Sequence, residues 1–252
     1  MAFDMNNFVI DRIIRGVALS QKDDSVLFSI NQIQNASLNC ASESTDAVDA
    51  MGTPIATFYR AKSAEFSAEN ALFDMNLMAT QLGTSKKVAS AASKIVAPAM
   101  ESFTVVEGGK YELKHAPKVA PTEIYALNNY STFGVKYVQK TAADAESFAI
   151  AGQTITLPTG LAAGTEMFVM YEYETENAVE VVNSAKNFPV GCKFVMEVLG
   201  CDVCDQTNLV YAYVIFNNAK LSPDFDWSIA TDGTHPFSMK AQQDLKYRSL
   251  AV

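Results

Sequence analysis

Cysteine, histidine, tryptophan and net positive charge are all scarce in this 252-residue sequence, and each shortage excludes a class of function. The four cysteines, Cys40, Cys192, Cys201 and Cys204, are too few for a disulfide-stapled secreted domain. Cys201 and Cys204 form one C-x-x-C, but a zinc ribbon needs a second close pair, so they read as reduced thiols packed as small apolar groups. The two histidines, His115 and His235, have no Ser, Cys or carboxylate at a motif-like spacing and read as surface or turn residues, not general bases. No glycine-rich phosphate loop, H-E-x-x-H or G-x-S-x-G occurs. Asp224 and Asp226 would share a strand face but lack the polar company of an acid/base pair, and they read as solvated residues at a strand entrance after Pro223. The expectation is a non-enzyme without cofactor or metal.

Lysine and arginine number 19 against 28 aspartates and glutamates, giving a net charge of −9. That balance argues against a protein that grips nucleic acid through its phosphates, though not against a surface past which DNA slides without sticking. Counted along the chain, acidic and basic residues number 11 and 8 in 1–105, 9 and 5 in 106–176, and 8 and 6 in 177–252. The surplus therefore belongs to the body of the protein and not to an acidic tail. The single Trp227 and the aromatics Tyr211, Tyr213 and Phe216 stand without a basic groove, so they read as core packing and not as a stacking platform for single strands. Lys86, Lys87 and Lys94 form the densest basic group and read as the solvated face of one helix. No apolar run approaches the roughly 18 residues of a membrane span, and Met1-Ala-Phe-Asp-Met-Asn-Asn has no signal-peptide pattern. The chain is expected to fold in a reducing cytosol with no membrane anchor.

What is present is a folded protein with 49% hydrophobic residues, written mostly in β rhythm. Residues 8–19 have apolar spacings compatible with a short helix, while their β-branched content suits a strand. Residues 26–38 alternate as a strand or bent strand pair, and 55–60 as a returning strand. Between them, 39–54 is rich in Ser, Thr, Asp and Ala, lacks the apolar content to pack, and reads as an exposed loop or hairpin tip. A helix is expected over 68–82, N-capped by Ser67 and stopped by Gly83, and a weaker one over 86–96. From 103 to 176, short β-branched and aromatic runs separated by Gly, Pro and Asn turns have the rhythm of a small antiparallel sandwich or barrel. Strands at 192–203 and 208–220, a strand at 225–231 and a turn at 231–234 follow. Two blocks of different rhythm flanking a β run point to an insertion: a parent domain from 1–102 and 177–252, and a small β domain from 103–176.

The strand and helix of 52–83 (GTPIATFYRAKSAEFSAENALFDMNLMATQLG) pair in a way that resembles virion proteins of tailed bacteriophages. The run 213–245 (YVIFNNAKLSPDFDWSIATDGTHPFSMKAQQDL) is similar to the closing β segments of phage tail tube proteins, and 148–176 resembles the small β domains that decorate them. The resemblance implies an α+β fold, mainly β: an antiparallel β-sandwich or barrel-like tube domain with a flanking helix and an inserted small β domain. It implies a structural virion protein that self-assembles as stacked rings forming the tail tube, contacting itself and other phage virion proteins while DNA passes through the lumen without specific binding. Strands 26–38 and 55–60, or 192–203 and 208–220, are the candidates for the lumen-lining sheet. A capsid decoration or neck/connector protein is the alternative. On the tube reading, the 39–54 loop is an arm that orders against a neighbouring subunit, and its contact residues are Ser42, Glu43, Ser44, Thr45, Asp46 and Asp49.

Overall fold

The computed structural model describes residues 7–203, 205–242 and 247–251, the last stretch through its backbone. In chain order it begins with strands β1 (Phe8–Ser20), β2 (Val26–Ile30), β3 (Ile33–Val48) and β4 (Pro54–Asn70), then helix α1 (Met75–Gln81). Next come β5 (Lys87–Val88), β6 (Ile95–Thr104), β7 (Lys110–Glu112), β8 (Glu123–Leu127) and β9 (Phe133–Gln139). Then follow β10 (Ser147–Ala151), β11 (Thr154–Thr156), β12 (Glu166–Thr175) and β13 (Val179–Glu180). The chain closes with β14 (Gly191–Asp202), β15 (Asp205–Leu221), β16 (His235–Ala241) and β17 (Tyr247–Ala251). The protein is therefore mainly β with one α-helix among the described residues. It divides into two compact units, 1–86 with 181–252, and 87–180.

The first unit is an eight-stranded sheet in the order β2-β1-β14-β15-β16-β4-β3, with β17 also on β15. Its two edge strands are consecutive in the chain, and the sheet curls around a core into which Phe28, Phe66, Phe194, Phe216 and Phe237 all project. Their ring centroids lie 5.6 Å apart for Phe66 and Phe194 and 6.5 Å for Phe28 and Phe237. Each buried ring contributes about 1.5–3 kcal/mol, so this cluster dominates the packing of the unit. Gly16 is required where β1 passes over it: a Cβ there would stand 2.8 Å from both Ile33 and Phe194.

The ambiguity over 8–19 resolves as a strand. β1 pairs with β14 from Phe8↔Asp202 to Ser20↔Cys192, and register shifts between Ile10 and Arg12 and between Ile13 and Arg15 break the two-residue period. Those bulges explain why Ile13 and Ile14 are both half-buried and why the apolar spacing looks helical. The helix expected from 68 is shorter. Ser67 belongs to β4, whose Phe66, Ala68 and Asn70 are buried while β16 pairs along Glu65–Asn70. Alternating burial between two partner strands outweighs helix propensity there. The true N-cap is Asp74, whose carboxylate accepts from the Asn76 and Leu77 amides at 2.9 and 2.7 Å. Gly83 ends the helix segment as expected, at φ +65°, and a Cβ on it would strike the Phe188 carbonyl oxygen at 2.2 Å.

The helix expected over 86–96 is absent. Lys87 and Val88 form β5, Ser90 and Ser93 bridge, and β6 starts at Ile95 because it pairs with β12 over its whole length. Lys86, Lys87 and Lys94 therefore share no helix; Lys87 pairs with Glu180 and Lys94 with Glu176. The strand expected over 225–231 is also absent. Residues 222–234 are an irregular excursion between β15 and β16, closed by a turn from Ala230 to Gly233.

The second unit is a seven-stranded sheet in the order β6-β12-β8-β9-β10-β11-β7, antiparallel except for β9 with β10, beside the β5–β13 pair. Its separate core holds Phe103, Leu113, Ile124, Phe148, Ile155, Met167 and Val169. Every strand-like run read between 103 and 176 falls within a strand of this unit or touches one. Position 102, where the sequence places the end of the parent domain, lies inside β6.

Candidate assembly interface

β3 and β4 begin inside the curled sheet and then leave it together. Every residue from Asn39 to Ser63 is exposed, whereas Ala64, Phe66 and Ala68 are buried. The polar composition of 39–54 accounts for this on the outgoing strand: Asn, Ser, Glu, Thr and Asp gain nothing from burial. Of the two readings of 39–54, an exposed loop or a hairpin tip, the hairpin holds: ladder pairing runs from Cys40↔Ala64 to Val48↔Pro54 and makes a two-stranded arm. Asp49 builds its turn by accepting from the Met51 and Thr53 amides at 2.8 and 2.9 Å, and these backbone donors hold its carboxyl below the usual range. Gly52, at φ +84°, supplies the left-handed residue the turn needs.

All six candidate contact residues lie on this arm. Ser42, Ser44 and Asp46 alternate along β3 with Glu43 and Thr45, so the set is divided between two faces, and Asp49 forms the tip. Residues 55–60 form the returning strand expected of them, as the outer part of β4. Their burial is what local pattern does not give: Ile55, Phe58 and Tyr59 are 71, 57 and 72% exposed, and Met51 at the tip is 91% exposed. The available signal was the partner strand: a polar run opposite an apolar one leaves the apolar side chains no cover within the hairpin.

Among the described residues, β4 pairs with no strand but β3 beyond β16's last contact at Glu65, and β3 is an edge of the sheet. The arm thus presents two edges without a strand partner among those residues, and two exposed faces. Two-stranded ribbons of this kind are marginal alone, and open edges recruit further strands or surfaces.

The remaining chemistry-bearing residues are dispersed among those described. Among the described residues no group of three or more His, Cys, Asp or Glu could hold a metal ion. Cys192 is buried, which pushes its thiol up to about 11, Cys201 is partly buried, Cys40 is exposed, and Cys204 lies outside the described residues. His115 is exposed and stacks on Tyr173 at 3.9 Å. His235 is the exception to its surface reading. It is fully buried, its Nε2 lies 2.8 Å from Gln81 Oε1, and its Nδ1 accepts from the Asp74 amide at 3.4 Å. Apolar surroundings and two ends of α1 converge on it, a contact that no local pattern around His235 announces. Phe216 is core, Tyr213 donates to Glu197 at 2.9 Å, Tyr211 is 47% exposed, and Trp227 stacks on Phe73 at 4.2 Å. Asp224 and Asp226 are exposed on the irregular 222–234 excursion. No helix among the described residues is long and apolar enough to cross a membrane.

The model of the YomU/Tube protein family matches residues 8–246, which takes in both units. No curated protein matches the chain.

Proposed function

The chain belongs to the YomU/Tube protein family, a tube-type structural family, and from that membership together with the free arm we propose that it self-assembles as the stacked rings of a bacteriophage tail tube. The observation that carries this is the arm: a ribbon of about 25 residues that pairs with no third strand among the described residues, bearing Val48, Met51, Ile55, Phe58 and Tyr59 in water. Covering each of these side chains against a neighbour gains about 1.5–3 kcal/mol, enough in sum to offset the ordering of the ribbon and the loss of free rotation on association. Repeated around a ring, a chain of net charge −9 repels phosphates, so DNA traverses the lumen without being trapped. The role needs no catalysis, and its place is the virion tail, where Ser42, Glu43, Ser44, Thr45 and Asp46 line one strand of the contact and Asp49 its tip.

Negative-stain microscopy of the purified protein tests the reading. Rings or hollow tubes are expected from the intact chain. A variant lacking 42–60, whose cut ends Ala41 and Ala61 lie beside the paired residues Ser42 and Lys62, should stay folded and fail to polymerise. A strictly monomeric wild type at high concentration, or normal tubes from the deletion, would refute it. Binding to preformed capsid shells without self-polymerisation would transfer the protein to a decoration role.

A further inference from the structure

We infer that a cleft at the opposite end of the sheet from the arm is the seat for the arm of a second copy, with Arg60 of one copy entering between Glu69, Asp224 and Asp226 of the next. The inference rests on the arm being an assembly element and names what receives it. Strand register sets the polarity. From Ala64, where β4 leaves the body, the arm runs one way through Arg60, and Ser67, Ala68 and Glu69 lie the other way, paired with β16. There the 222–234 excursion folds back beside β4 and β16 and encloses a cleft of 310 Å³.

The cleft has an apolar lining from Ala68, Phe225 and Pro236, and its charged groups are Glu69, Asp224 and Asp226; no Lys or Arg lines it. None of the three carboxylates has an ion pair among the described residues, and Glu69 accepts only the Asn35 amide at 3.3 Å. An apolar slot rimmed by unpaired carboxylates suits a guanidinium on an aliphatic stem. The arm supplies one. Arg60 is exposed with no carboxylate partner among the described residues, and so is Lys62. Ser42 pairs with Lys62 and Ser44 with Tyr59, so Arg60 and Ala61 bulge opposite Glu43 alone, a geometry that re-aims side chains.

Four residues of strand put Arg60 about 13 Å beyond Ala64, and the cleft residues of β4 lie within three residues of its other end at Asn70. A translation along β4 by about 30 Å, the rise of the nine residues from Arg60 to Glu69, brings one copy's cleft level with the middle of the preceding copy's arm. Such a contact joins two different surfaces, so it propagates instead of closing into a two-fold dimer.

A charge exchange tests the match, using the full-length chain and sedimentation with negative-stain microscopy as readouts. Arg60→Glu alone, and Asp224→Lys with Asp226→Lys together, should each raise the critical concentration for polymers about tenfold or more, while circular dichroism and melting of the monomer stay unchanged. Mixed in equal amounts, the two proteins should polymerise again, because each arm then meets a cleft of opposite charge. Normal polymers from either variant alone, or no recovery on mixing, would overturn the cleft assignment. If the 42–60 deletion abolishes polymers while both charge variants form them normally, the arm reading stands and only the cleft falls; if the deletion polymerises, both fall.

Discussion

Replacing Glu101 with Gln should unfold the 87–180 unit early and leave the other unit alone. Glu101 is a 3% exposed carboxylate on β6, an edge strand, and it faces inward. It accepts from the Tyr111 hydroxyl at 2.7 Å, from the Tyr171 hydroxyl, and from the Lys114 amide at 3.1 Å. Burial alone pushes the Glu101 carboxyl up, but the hydrogen bonds from Tyr171, Tyr111 and the Lys114 amide outweigh it and leave it below the usual range. Burial and the bond to Glu101 in turn push the Tyr111 hydroxyl up to about 12 and raise Tyr171. A hydrogen bond to a charged group is worth about 1.5–3 kcal/mol, and the amide both removes the charge and turns one donor toward groups that were donating. The expected loss is about 2–4 kcal/mol, or roughly 10–20 °C in the midpoint of a unit this size. Calorimetry reports both units, whereas fluorescence of the only tryptophan, Trp227, reports the 1–86 and 181–252 unit. A calorimetric transition should move while the fluorescence midpoint holds. Because the folded carboxyl is depressed, its stabilisation is present above the ordinary glutamate range near about 4.3 and is lost as pH falls through the folded value, a loss the Gln variant should lack. An unmoved calorimetric trace, or a fluorescence shift of the same size, would show that Glu101 does not hold this core together.

Two further outcomes follow from the helix and its histidine. Asp74→Ala should cost about 1 kcal/mol in the fluorescence melt by uncapping α1, and Asp74→Ser should recover most of it. A loss in Ser equal to that in Ala would mean the carboxylate serves something other than the cap. His235 is held neutral: burial lowers its pKa, and nearby Asp74 opposes this only in part. A depressed histidine stabilises fully above its unfolded value near about 6.5 and progressively less as pH falls toward the folded one. The fluorescence midpoint should therefore drop between pH 7.5 and 5 more steeply in wild type than in His235→Leu; parallel pH profiles would remove His235 from the account.

The β character of most of this chain was legible, because two-residue alternation and turn residues are local properties. FTVV, KYEL, EIYAL, FGVKYVQ and MFVMYEYET lie in or beside strands of the second sheet for that reason. Local pattern failed where a long-range partner decided the outcome. AKSAEFSAEN is a fair helix sequence, but β3 and β16 sit on either side of Phe66 to Asn70 and make it strand. KIVAPAM extends β6 because β12 lies beside it. His235 is buried because α1 returns to the start of β16 from over 150 residues away in sequence. The same division runs through the arm. Composition by itself determined that 39–54 stays in water, since Ser, Thr, Asn and Asp gain nothing from a core. Only the tertiary structure decided that its partner strand follows it out, carrying Ile55, Phe58 and Tyr59 away from the core, because pairing to β3 continues where pairing to β16 stops.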